Sequence, residues 1–128
     1  MPNIGVVLLA AVAAFVLSSV WYAAFGRTLS RLSPAYAGGG TMSPWTGLIE
    51  LLRSAVLAVV VGLGCEHLGP AGASPLVAAA LVAWVGFPVV LLSGSVLHER
   101  VPWRLAAVHA GDWLLKLVAV TLIVGLWG

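Results

Sequence analysis

The sequence predicts an all-α integral membrane bundle of four transmembrane helices with both termini on the outer face, and three observations predict it. First, 62% of the 128 residues are hydrophobic and 8% are charged, with a mean hydropathy of +1.12. A soluble domain carries about 25% charged residues, so this chain cannot build a water-facing surface. Second, four apolar runs, at roughly residues 4–25, 46–65, 75–97 and 105–127, each approach the ~20 residues a helix needs to cross ~30 Å of hydrocarbon. Third, the basic loop residues all fall in alternate loops. The length leaves room for one domain, residues 1–128.

The runs are separated by helix-breaking segments: Ser33-Pro34 through Gly38-Gly39-Gly40 to Ser43-Pro44, then Gly69-Pro70-Ala71-Gly72, then His98-Glu99-Arg100-Val101-Pro102. The first run is expected to be a retained helix, because Met1-Pro2-Asn3 lacks the basic segment that opens a cleaved secretory signal. In the third run, Pro88 is expected to free a backbone carbonyl and bend the helix, with Trp84, Pro88, Leu91 and Ser95 on one face. Arg27 and Arg31 lie in the first loop, and Arg100 and Arg104 in or beside the third. The N-terminal segment, the second loop (Glu66, His67) and the C-terminus have no Lys or Arg. Positive charge marks cytoplasmic loops, which puts residues 26–45 and 98–104 inside. Trp21, Tyr22, Trp45, Trp103 and Trp127 sit where interfacial aromatics usually sit.

Composition also excludes several function classes. A formal charge of +2 is too small and scattered for a nucleic-acid partner; the partner expected is the lipid bilayer. Cys65 is the single cysteine, so neither an intramolecular disulfide nor a cysteine metal cluster is open to the chain. His67, His98 and His109 stand on separate elements, and neither a metal nor a cofactor is expected. Five arginines to one lysine, with Ala, Val, Gly and Leu dominant, resemble the output of a GC-rich bacterial genome, hence an expected place in a bacterial plasma membrane. Gly62, Gly64, Ala106, Ala107, Ala110 and Gly111 permit close helix packing, within one protomer or in a homo-oligomer. A duplicated hairpin is also suggested: Ser43-Pro44-Trp45 answers Val101-Pro102-Trp103, and Val61-Gly62-Leu63 answers Val124-Gly125-Leu126. The spacing differs by five residues, which counts against it.

Trp21-Tyr22 with Phe25-Gly26, Trp84-Val85-Gly86-Phe87, His109-Ala110-Gly111 and Gly125-Leu126-Trp127 resemble domain of unknown function 1761, a group of small bacterial four-helix membrane proteins. The resemblance spans most of the chain. It implies the four-helix topology and supplies no activity. An aromatic usually follows the Ala-Gly of the last helix in that pattern, where this chain has Asp112. Glu50, Arg53, Asp112 and Lys116 stand outside the resemblance.

Those four charges are the most informative feature of the sequence. Glu50 and Arg53 are one turn apart, about 60° in projection. His109, Asp112 and Lys116, spaced i, i+3 and i+7, share a stripe about 60° wide on the fourth run. An ionisable group at mid-membrane costs about 2.5–3.5 kcal/mol on the lenient insertion scale, whereas an i, i+4 pair on an isolated helix contributes about 0.2–0.5 kcal/mol. Partners on another helix are therefore expected, and the only intramembrane charges on offer are those of helices two and four. A network of two acids and two bases across those helices follows.

Such a network serves as structural glue or as a site. Read as a site, it is catalytic machinery: Asp112 foremost, with Glu50, Lys116, Arg53 and His109, and with Trp84, Trp113, Trp21, Tyr22, Ser54 and Ser95 lining the substrate. The chemistry expected is acid/base catalysis on a lipophilic, isoprenoid-like small molecule, such as cyclisation or isomerisation, with Trp faces stabilising a cationic intermediate. The alternatives are a small homodimeric proton-coupled transporter, for which the first run lacks the acid that four-helix multidrug transporters carry there, and an accessory membrane subunit.

Overall fold

The computed structural model describes residues 3–33 and 44–128; the turn signals read from Pro34 to Ser43, and the Met1-Pro2 start, lie outside them. All regular structure among the described residues is helical. Helix α1 (Ile4–Ala24) starts where the Asn3 side chain accepts the Gly5 N–H at 2.8 Å, satisfying one of the donors a helix start leaves open. It ends at Phe25, whose backbone departs from helical values (φ −99°, ψ 12°).

A short helix that the sequence reading placed in an unstructured loop follows directly: α2 (Gly26–Leu32). Leu29 anchors it, only 1% exposed and packed with Leu105 and Val108 of the last helix. Its Arg27 and Arg31 stay exposed. Helix α3 (Pro44–Leu68) stops at Gly69, where φ is +84°. A left-handed residue there suits glycine, and its N–H closes the helix on the carbonyls of Cys65 and Glu66.

The third span (Ala73–His98) is continuous but not uniform. Helix α4 (Ala73–Trp84) passes through a wide π-helical turn (Val85–Val89) into α5 (Val90–His98). Pro88 sits inside that turn. Proline has no N–H to give and its ring collides with the carbonyl one turn back; widening the turn absorbs both problems. The extra residue also rotates α5 relative to α4. The expected common face of Trp84, Pro88, Leu91 and Ser95 therefore does not form: Pro88 is buried while Leu91 is 72% exposed.

Helix α6 (Trp103–Trp127) is the hub. It packs against α1, α3, α4 and α5, and α1 also packs on α3. Its buried stripe runs Leu105, Val108, Asp112, Lys116, Val120, Val124. Small residues let the helices approach: Ala10 and Ala14 of α1 and Ala58 of α3 are fully buried against Val120. Gly62 and Ala106 are buried as well, but Gly64 and Ala107 face outward. The outer surface carries rows of exposed aliphatics, such as Leu8, Val12, Val16 and Val20 on α1. Four helices, with window hydropathies of 1.6–2.4, are long and apolar enough to cross a membrane. A surface of this kind is the one hydrocarbon solvates, and the protein is a membrane-type helical bundle.

Candidate functional site

Asp112 is the tenth residue of α6, about 14 Å along the helix from Trp103 at 1.5 Å per residue. The residue is 2% exposed, so a carboxylate there must find every partner within the protein. It does so on three sides. The Ser18 hydroxyl donates to Oδ1 at 2.5 Å, the Tyr22 hydroxyl points to Oδ2 at 3.4 Å, and the Lys116 ammonium pairs with Oδ2 at 2.9 Å. Ser18 and Tyr22 are one turn apart on α1, so one face of that helix brings both hydroxyls to the acid. The Tyr22 oxygen also lies 2.6 Å from His109 Nδ1, which makes a connected string His109–Tyr22–Asp112–Lys116. A phenol has one hydrogen, so Tyr22 donates to His109 or to Asp112, and which it serves depends on whether Nδ1 carries a proton.

Two tryptophans hold this segment of α6 in place. Trp21 Nε1 donates to the Val108 carbonyl at 2.8 Å, and Trp84 Nε1 donates to the Ala110 carbonyl at 2.7 Å. Gly111 makes the first of these possible. A methyl group on it would stand 2.3 Å from Trp21 Cζ2, inside the indole, so only glycine lets Trp21 lie this close to α6. Thus the Ala-Gly step beside Asp112 has a steric reason.

The expected ion pairs between helices two and four, here α3 and α6, are not formed. Among the described residues the acids and bases pair within their own helices, Asp112 with Lys116 and Glu50 with Arg53 at 2.5 Å. The physical reason is reach and supply: each base lies one turn beyond its acid, and the remaining acceptor capacity of Asp112 is filled by neutral hydroxyls from α1. Glu50 and Arg53 nevertheless face the other pair across a groove. A cleft of about 460 Å³ runs between α3 and α6, walled by Glu50, Arg53, Ser54 and Leu57 on one side and by Trp113 and Lys116 on the other. Lys116 Nζ lies 4.5 Å from the Trp113 ring centroid, in cation–π range.

The residues read from sequence thus divide into three groups. Asp112, Lys116, His109 and Tyr22 are brought together by hydrogen bonds. Glu50, Arg53, Ser54 and Trp113 share the groove with Lys116. Trp21 and Trp84 commit their indole N–H groups to α6, and the Ser95 hydroxyl turns back to Leu91 O of its own helix at 3.5 Å, away from this cluster. Sequence reasoning missed Ser18. Its signal was present: Ser18 and Tyr22 are a polar i, i+4 pair in a helix that is otherwise almost wholly apolar.

No curated protein and no solved structure matches this chain. The family model described as protein of unknown function (DUF1761) matches residues 6–125, which takes in all four spans but for their outermost residues. The resemblance drawn from the aromatic motifs agrees with that match, and the chain belongs to the DUF1761 family.

Proposed function

We propose that this protein is a membrane enzyme that performs acid/base chemistry on a lipophilic substrate taken from the bilayer into the α3–α6 groove. The observation that carries this reading is a titratable string ending at that groove: Lys116, part of the groove wall, is joined through Asp112 and Tyr22 to His109. In this reading Lys116 is the group nearest the substrate, Asp112 holds it and balances its charge, and Tyr22 with His109 supplies or removes a proton. An isoprenoid-like chain suits the apolar flank of Leu52, Val56, Leu57 and Val60, and cyclisation or isomerisation are the reactions that need only proton transfers. The bundle sits in a bacterial plasma membrane with both termini outside, because Arg27, Arg31, Arg100 and Arg104 gather at one end. Reporter fusions after Gly39 and at Gly128 should then report cytoplasm and exterior respectively.

The function is tested by incubating the reconstituted protein with bacterial isoprenoid lipids in D2O. Proton chemistry at carbon leaves solvent deuterium in a product lipid, detected by mass, and Asp112→Asn should abolish it. A second reading, a homodimeric proton-coupled transporter, draws on the same string, which offers a proton path. It predicts no deuterium in lipid but proton uptake by loaded vesicles. With neither signal, the accessory-subunit reading stands and the enzyme reading fails.

A further inference from the structure

The Lys116 ammonium carries three N–H bonds. Asp112 takes one, and the Trp113 ring centroid lies 4.5 Å from the nitrogen, in cation–π range. Among the described residues nothing else accepts from it, its side chain is only 10% exposed, and it forms part of the groove wall. A charged donor at a mostly apolar wall gains from each further acceptor that reaches it. A groove lined by such a donor is suited to a ligand that brings an acceptor.

Charge decides what kind of acceptor. Lys116 is already balanced by Asp112, and Arg53 by Glu50. An anionic head such as a phosphate would leave the site one charge in excess in a medium of low dielectric. A cationic head finds the Asp112 carboxylate already engaged by Ser18, Tyr22 and Lys116. A neutral oxygen meets neither obstacle. The remaining wall is apolar, with Trp113 beside the ammonium and Leu52, Val56 and Val60 extending along α3.

We propose that the α3–α6 groove binds a neutral lipophile with a flat, carbonyl-bearing ring head, its carbonyl oxygen accepting a hydrogen bond from Lys116 and its hydrocarbon tail lying along α3. This deepens the acid/base reading by naming a substrate class, and it rests on that reading, since a carbonyl polarised by an ammonium acidifies the C–H bonds conjugated with it. Prenylated quinones and cyclic enones belong to the class.

The probe is a decyl-substituted benzoquinone with a 13C-labelled carbonyl, compared with decylbenzene, which carries the same tail on a flat six-membered ring without oxygen. Protein in nanodiscs should bind the quinone saturably, gain thermal stability, and shift the bound carbonyl stretch to lower frequency; decylbenzene should do none of these. Val56→Trp adds bulk to the groove at an exposed position of its wall, and should abolish binding while leaving the fold intact. The double variant Asp112→Asn, Lys116→Met keeps the buried charge balanced and should bind about tenfold or more weakly, a charged hydrogen bond being the difference, with the carbonyl shift gone. Equal stabilisation by decylbenzene, or unchanged binding and carbonyl frequency in either variant, would overturn the proposal. Solvent deuterium appearing in lipids without a ring carbonyl, while the quinone fails to bind, would leave the acid/base reading standing and reject this substrate class alone.

Discussion

The chain contains the same local device twice, an acid followed one turn later by a base, and the two copies have opposite surroundings. In α6 the Asp112 and Lys116 side chains are 3% and 10% exposed; in α3 those of Glu50 and Arg53 are 33% and 60% exposed. Asp112 collects two hydroxyls from α1 in addition to its lysine, whereas Glu50 pairs with Arg53. The difference comes from the helices rather than from the pairs. α6 is surrounded by three spans and α3 lies at the edge, so 39% of the most apolar window of α6 is buried against 17% for α3. A long arginine at an open edge can carry its charge toward headgroups; a lysine in the hub cannot. One pair must therefore be solvated by protein, the other by its surroundings.

The largest effect should come from breaking the buried pair. Asp112→Asn leaves Lys116 without a counter-charge and should lower stability by about 3–5 kcal/mol, read by thermal unfolding in detergent. The double variant Asp112→Asn, Lys116→Met should recover most of that loss. A single variant as stable as the parent would mean that water solvates the Lys116 charge once Asp112 is gone, and the contrast between the two pairs would collapse.

An intermediate effect should come from Gly111→Ala, which forces a methyl into the Trp21 indole. Overpacking of this kind costs about 1–3 kcal/mol, and adding Trp21→Leu should relieve part of it. Equal stability of Gly111→Ala and the parent would show that Trp21 does not hold α6 where Asp112 needs it. The smallest effect should come from Glu50→Gln, below about 1 kcal/mol for an accessible pair. A loss matching that of Asp112→Asn would place Glu50 in an equally enclosed setting and make the two pairs equivalent.

Much of this was legible before any coordinates. A helix in hydrocarbon must satisfy its own backbone, so a run of about twenty apolar residues has one available structure, and the four spans follow from hydropathy with their ends within a few residues. Glycine and proline punctuation placed the turn at Gly69 for the same local reason. The special standing of Asp112 and Lys116 was also legible, because charge in an apolar run is costly wherever the run goes. Helix α2 was not: seven residues with a single buried leucine have no periodic signal of their own, and Leu29 becomes an anchor only because Leu105 and Val108 lie beneath it.

What the tertiary structure alone decided is which neighbours each buried group meets. Ser18 and Asp112 are 94 residues apart in sequence, and a serine in an apolar helix is as much at home facing its own backbone carbonyls as facing a distant acid. Ser19, one position on, takes that other course and donates to Phe15 O. Hydropathy determines that a segment crosses the bilayer, because transfer from water depends on the segment itself. It does not determine the rotation of the helix about its axis, because lipid is as apolar as leucine and exerts little preference between faces. That rotation was set by packing, by alanines and glycines that let α1 close on α6, and it put Ser18 and Tyr22, rather than Glu50 and Arg53, against the one carboxylate that has no access to solvent.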